Sequence, residues 1–244
     1  MPEGPSIVLL REAVESFTGK KVLAVTGNTT IDKKRMLNKK VIAFMTWGKH
    51  FLICFNGFTL RIHFLLFGSY LINETKEAKV RLGLKFSKGH INFYACQLRF
   101  LEGNINEHYD WSGDVMNNSW DPKQARKKLK AQPGELVCDA LLDQDVFAGV
   151  GNIIKNEVLY RIRIHPESTV GSLPSPKLTK LIAEARNYSF DFLHWKRDHV
   201  LRQHWLAHAK KTCLRCNLPI IKQQAMGKRK RRSFYCDNCQ VLYE

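Results

Sequence analysis

The chain opens Met1-Pro2-Glu3, which sets a secondary amine beside a carboxylate once the initiator methionine is removed. Pro2 is small enough for that removal to be expected. An α-amino group titrates near ~8 rather than the ~10.4 of lysine, so a useful share is an unprotonated nucleophile at neutral pH. A proline nitrogen already carries two carbons, so its attack on an aldehyde-level carbon leaves a cationic iminium that draws electrons from the neighbouring carbon. This is Schiff-base chemistry without a lysine. The same residues have a plainer reading, since Pro2 and Pro5 suit the first turn of a helix.

Two further clusters carry chemistry. Cys213-Leu214-Arg215-Cys216 and Cys236-Asp237-Asn238-Cys239 are Cys-x-x-Cys pairs with nineteen residues between them, the donor set and spacing of a tetrahedral zinc site. Four thiolates leave no position for water, so one Zn2+ per chain is expected, in a structural role. From Lys210 to Arg232 there are nine basic residues and no acidic one. On a zinc hairpin such a run suits phosphate contact, although a solvated basic loop or a localisation signal reads the same. The second cluster is Ala148-Gly149-Val150-Gly151-Asn152. Glycines before a helix let the backbone approach a ligand, and the free N–H groups of a helix N-terminus attract anions. A Gly-x-Gly that only turns the chain is equally compatible.

The elements that must position these residues follow from pattern. Ile7, Leu10, Val14 and Phe17 are spaced as one face of a helix over residues 4–17, ended by Gly19, which would hold Pro2 still. From Val22 to Leu101, short runs of Val, Ile, Leu and Phe alternate with turn signals such as Asn56-Gly57 and Lys88-Gly89, and predict about seven or eight strands in an antiparallel sandwich. Residues 103–120 read as a linker. Asp121-Pro122 then starts a basic helix to about Lys130, and further helices are expected over 136–142, 153–160, 178–193 and 198–208. The fold class is α+β: a helix-capped β-sandwich over 1–110, a helical domain over 121–208 and a zinc finger over 209–244.

Composition bounds the partners. The 244 residues carry 39 Lys+Arg against 22 Asp+Glu, a net charge of +17, which favours a polyanion such as nucleic acid. No stretch reaches the ~20 apolar residues of a membrane span, and no signal-peptide pattern opens the chain. An intracellular monomer without a membrane partner is expected, cytoplasmic or at the nucleoid, or nuclear in a eukaryote. Cys54, Cys96 and Cys138 sit in apolar surroundings and read as inert.

Met1-Pro2-Glu3-Gly4-Pro5, Trp47-Gly48-Lys49, Ala148-Gly149-Val150-Gly151-Asn152, His165-Pro166 and the C-terminal cysteine pairs, in that order, together resemble the Fpg/Nei DNA glycosylase/AP lyases. The resemblance covers essentially the whole chain. It implies a helix-two-turns-helix architecture for the helical domain, damaged double-stranded DNA as partner, and base-excision repair by β,δ-elimination. By that resemblance Pro2 is the nucleophile at C1′, Glu3 the proton donor for sugar opening, and Lys49 the lysine at the phosphate beside the lesion, implicated in elimination. Asn152 is the phosphate-gripping asparagine and Arg231 the zinc-hairpin arginine, with Arg232 a competing assignment.

A base inside a duplex hides C1′, so the nucleotide must be flipped and the gap filled. Leu65, Leu66 and Phe67 stand where the family carries its intercalating loop, and such side chains suit unstacked steps. A buried strand is the alternative, although four apolar residues in a row do not alternate and favour a loop with an exposed tip. The adjacent Leu-Leu-Phe looks closer to the branch acting on oxidised pyrimidines than to that acting on 8-oxoguanine and formamidopyrimidines. Two departures stand out: Ser6 replaces a second glutamate, and Trp111 stands where a DNA-contacting arginine is expected. A non-enzymatic zinc-finger DNA-binding protein would explain the charge and the cysteines, but not Pro2-Glu3.

Overall fold

Helix α1, Gly4–Val14, forms where the apolar spacing predicts it, and the computed structural model, which describes residues 2–244, buries Ile7, Leu10, Val14 and Phe17. Met1, whose removal the sequence leads one to expect, lies outside the described residues. The chain divides into two units, Met1–Tyr109 and Asp110–Glu244.

The first unit adds to α1 a six-stranded antiparallel sheet ordered β1-β5-β6-β4-β3-β2. Its strands are β1 Ala24–Thr26, β2 Ala43–Trp47, β3 His50–Phe55, β4 Phe58–Ile72, β5 Leu82–Phe86 and β6 Gly89–Glu102. The seven or eight short strands expected from the sequence are therefore six, because β4 and β6 are long and run through both layers. The first part of β4 pairs with β3 and with the end of β6, while Ser69–Ile72 pair with the start of β6, which in turn pairs with β5. Side chains of the two layers meet in one core: Phe51 and Phe64 pack on Phe93 with ring centroids 6.0 and 6.3 Å apart. Ile7, Leu10 and Val14 of α1 join the same cluster.

The β4–β6 ladder is interrupted once. Phe64 pairs with Cys96 and Ser69 with Tyr94, so four residues of β4 face the single Ala95, a bulge larger than the usual two against one. A Cβ on Gly68 would come 2.8 Å from the Ala95 carbonyl oxygen, which explains the glycine where the excursion re-enters the sheet.

The second unit is helical: α2 Pro122–Lys130, α3 Val137–Ala140, α4 Asn152–Ile162 and α5 Ser175–Arg197, followed by the hairpin β7 Ile221–Met226 and β8 Arg231–Tyr235. Asp121 caps α2 by accepting from the Lys123 amide, as the Asp-Pro signal requires. Two expectations fail here. Residues 111–120 are not a free linker, since Val115 is fully buried in this unit's core and its carbonyl accepts from Arg186 at 2.9 Å. The expected helix over 198–208 is only a short turn, Leu201–His204. His199 takes a left-handed φ of 61°, and the amides of Leu206, Ala207 and His208 turn onto the Glu157 carboxylate at 2.8–3.0 Å. A buried carboxylate has claimed the donors that a helix would have used.

Candidate nucleic-acid interface and metal centre

In the first unit, Glu3 is the N-cap of α1, extended at φ −112°, ψ 171°, and its carbonyl accepts from Ser6 and Ile7 at 2.8 and 3.3 Å. Its side chain is 1% exposed, while Pro2 is half-buried. Packing of α1 into the sandwich thus fixes a buried carboxyl on the residue next to Pro2. Ser6, on the first turn, is half-buried.

Lys49 sits in the two-residue turn Gly48-Lys49 that joins β2 to β3, with Trp47 and His50 as the closing pair. Gly48 supplies φ 52°, the positive value such hairpin turns require. The ring of His50 lies 5.5 Å from Trp47 and 5.3 Å from His63, and its Nδ1 is 3.1 Å from the Tyr109 hydroxyl. Burial, then the cations Arg61 and Lys49 and the neighbouring His63, push the His50 pKa down to about 3. This imidazole is therefore a neutral hydrogen-bonding group. The bulge presents Leu65, Leu66 and Phe67 at 43, 52 and 89% exposure, whereas Phe64 is buried. The apolar run is thus a strand residue followed by an exposed excursion.

In the second unit, the loop before α4 is shaped by Gly149, at φ 102°, and by Gln144. The Gln144 side chain accepts from the Gly149 amide and donates to the carbonyls of Leu142 and Val150. Asn152 is the first residue of α4, and its Oδ1 is enclosed with no protein partner. Its side chain therefore stands at a helix N-terminus, where backbone dipoles favour an anion.

The hairpin that carries Arg231 is anchored by buried polar groups. Asp139, 2% exposed, accepts from the amides of Lys228 and Arg229 at 2.8 and 3.1 Å. Gly227 has φ 66°, and a Cβ there would overlap the Asp139 carboxylate, so this turn needs glycine for two reasons. Lys155, 1% exposed on α4, donates to the Arg232 carbonyl at 3.0 Å and to Ser233 Oγ at 2.7 Å. Asn156 accepts from the Phe234 amide at 3.2 Å. Arg231 begins β8 opposite Met226, while the Arg232 guanidinium is engaged with Gln224 at 2.9 Å.

Sequence reasoning missed Gln144, Asp139, Lys155, Asn156 and Glu157. The last three lie in α4, an element buried almost throughout from Ile154 to Ile162, which its run of polar residues does not announce. A helix with no solvent face must pair its polar side chains inside the protein.

The Sγ atoms of Cys213, Cys216, Cys236 and Cys239 all lie within 4.8 Å of one another. Cys213 to Cys239 is 3.8 Å and Cys216 to Cys236 is 3.5 Å. A tetrahedron with Zn–S bonds of 2.3 Å has edges of about 3.8 Å, so the donor set fits a metal ion. The Tyr160 hydroxyl lies 3.1 Å from Cys213 Sγ, and Arg215 stacks over the same ring at 4.0 Å. Of the other thiols, Cys96 and Cys138 are buried and Cys54 half-buried. Burial raises all three, Cys96 to about 11 and Cys138 to about 12, which leaves them protonated.

Residues 1–102 match the family model of the formamidopyrimidine-DNA glycosylase N-terminal domain, and residues 113–188 that of the formamidopyrimidine-DNA glycosylase H2TH domain. The chain belongs to the Fpg/Nei family. Among Fpg/Nei relatives, endonuclease 8-like 3 of Bos taurus is 30% identical over 205 residues, 80% of this chain and 34% of that protein. The chain thus spans about a third of the length of the endonuclease 8-like 3 proteins it matches. The DNA-(apurinic or apyrimidinic site) lyase Nei2 of Mycolicibacterium smegmatis is 28% identical over 258 residues, covering 99% of both chains. The fold is shared with Lactococcus lactis Fpg (MutM), solved with DNA containing an oxidized pyrimidine, at TM-score 0.86 and 21% identity over 98% of this chain and 99% of that one. A viral DNA glycosylase matches at TM-score 0.84 and 19% identity over 98% of this chain and 100% of that one.

Proposed function

We propose that this chain is a bifunctional DNA glycosylase/AP lyase of base-excision repair, acting on oxidised bases in double-stranded DNA as an intracellular monomer. The observation that carries the reading is Pro2 next to Glu3 at the N-terminus of the packed helix α1, with Glu3 buried and Pro2 half-buried. Once Met1 is removed, the Pro2 nitrogen attacks C1′, the base departs with the glycosidic electron pair and a proton, and Glu3 protonates the sugar ring oxygen as the ring opens. The resulting iminium acidifies the 2′ hydrogens. Loss of one of them expels the 3′ phosphate, and a second elimination expels the 5′ phosphate.

Lys49, on its tight turn, contacts the phosphate beside the lesion. Asn152 offers its side-chain N–H group and a helix N-terminus to another phosphate, and Arg231, on the anchored hairpin, assists the second elimination. Leu65, Leu66 and Phe67 are an exposed apolar set suited to filling the gap left by an extruded nucleotide. The four cysteines hold one structural Zn2+, whose contribution is to the folding of the hairpin. Oxidised pyrimidines are the favoured substrates, a reading that rests on the adjacent Leu-Leu-Phe.

The test is reductive trapping. Borohydride is expected to fix the processed protein to an abasic-site oligonucleotide through Pro2, and an N-terminal extension that cannot be processed should abolish both trapping and strand cleavage. Full-rate cleavage by the extended protein would overturn the mechanism, and DNA binding without trapping would leave a binding module. Cys216→Ser should lower zinc content and weaken DNA binding while circular dichroism still reports a folded sandwich.

A further inference from the structure

The first unit carries an open groove of about 530 Å³ whose lining includes Arg61, Leu65, Arg81, Gln97 and Arg99. Three arginines line it. None of them forms an ion pair with a carboxylate among the described residues. Arg61 and Arg99 stand directly opposite each other on β4 and β6, a placement of like charges that destabilises a sheet left to itself. Arg61 is hydrogen-bonded to Tyr109, and Arg81 Nη1 donates to the Asn28 carbonyl at 3.1 Å, so two of the three heads are steered before any ligand arrives. Steered, uncompensated guanidiniums beside a side-chain amide are suited to the planar, bidentate recognition of phosphate. One wall of the groove is Leu65, where the exposed excursion of β4 begins.

We propose that this groove is a phosphodiester-binding subsite that holds the DNA backbone running past the Leu65–Phe67 excursion. The proposal rests on the reading of the chain as a DNA-acting enzyme and deepens it. Apolar insertion unstacks a step and bends the duplex, and a cationic groove adjoining the inserted residues retains the displaced backbone. The ligand is backbone phosphate, so the subsite adds affinity without reading sequence.

The experiment is equilibrium binding of the zinc-loaded full chain to a short duplex bearing a tetrahydrofuran abasic-site analogue, repeated over a range of salt concentrations. Wild type is compared with Arg99→Gln, with the double variant Arg61→Gln/Arg99→Gln, and with Lys88→Gln, which removes a charge from the β5–β6 turn outside the groove. Each lost phosphate contact should reduce the slope of log K against log salt by about 0.9, and the double variant should bind about tenfold more weakly at low salt. The melting temperature of Arg99→Gln should not fall, because an opposed like charge has been removed.

If the double variant keeps the wild-type slope, or Lys88→Gln lowers it equally, the groove is no subsite and only net charge matters. If the wild-type chain binds no DNA, the functional reading falls and the subsite falls with it.

Discussion

The two units place their site residues by different physics. In the first, the buried set is almost wholly apolar, with Glu3, Thr29, Thr59 and Asn92 its only buried polar or charged members among the described residues. Apolar burial is non-directional: it pins α1 and the β2–β3 turn as wholes and leaves Pro2 and Lys49 to be oriented by the backbone at an element's end. In the second, Asp139, Lys155, Asn156, Glu157 and Gln240 are buried, and each holds a named backbone group. Directional bonds fix the hairpin against α4 more narrowly than packing would. They also make the unit brittle, because a single truncation leaves several buried donors without partners.

The largest loss of stability is expected at Glu157. Glu157→Ala should cost the second unit about 3–5 kcal/mol by stranding three amides and Arg161, measured by denaturant unfolding, with the first unit's transition unmoved. Gly227→Ala should cost about 1–3 kcal/mol by combining a strained φ with displacement of Asp139, and strand cleavage at a preformed abasic site should fall more than stability does. In the first unit, Ile53→Val removes one methylene from a fully buried side chain and should cost only about 0.5–1.5 kcal/mol. A larger loss there would mean that the sandwich is as exacting as the hairpin.

The smallest effect at neutral pH sharpens the contrast through two histidines. His50 in the first unit and His208 in the second are pushed down to about 3 and about 4, chiefly by burial, with Arg61 and Lys49 beside one and Lys155 and Arg232 beside the other. Between these values and the ordinary ~6.5 the unfolded chain binds more protons than the folded one, so stability falls as pH drops through that window. His50→Gln should leave the melting temperature near pH 7.5 almost unchanged and flatten its decline between about pH 6.5 and pH 4. A decline of unaltered steepness would show that His50 is not held neutral.

Helix α1, the cap of α2 and the two cysteine pairs were legible because each is set by neighbours in sequence. The length of β4 and β6 was not, because the bulge between Phe64 and Ser69 interrupts the alternation that marks a strand, and nothing local says that pairing resumes. The failed helix over 198–208 has the same origin: its donors answer to Glu157, some fifty residues away. Of the candidate site, Pro2, Glu3, Asn152 and the cysteines could be named from the chain alone. The residues that hold the hairpin could not, since a polar side chain in a helix looks solvent-facing until its tertiary partner is known.

The interruption in β4 has an evolutionary corollary. The ladder closes at Phe64 and Cys96 and reopens at Ser69 and Tyr94, so the residues between are a side branch of the sheet, outside its pairing register. Insertions, deletions or wholesale replacement there leave every strand partner on its own face, whereas one residue added within a continuous ladder would turn the following side chains to the opposite face. The tip can therefore diversify at its own pace on an invariant scaffold, and a library built by grafting segments of varied length at this branch should return folded members at high frequency.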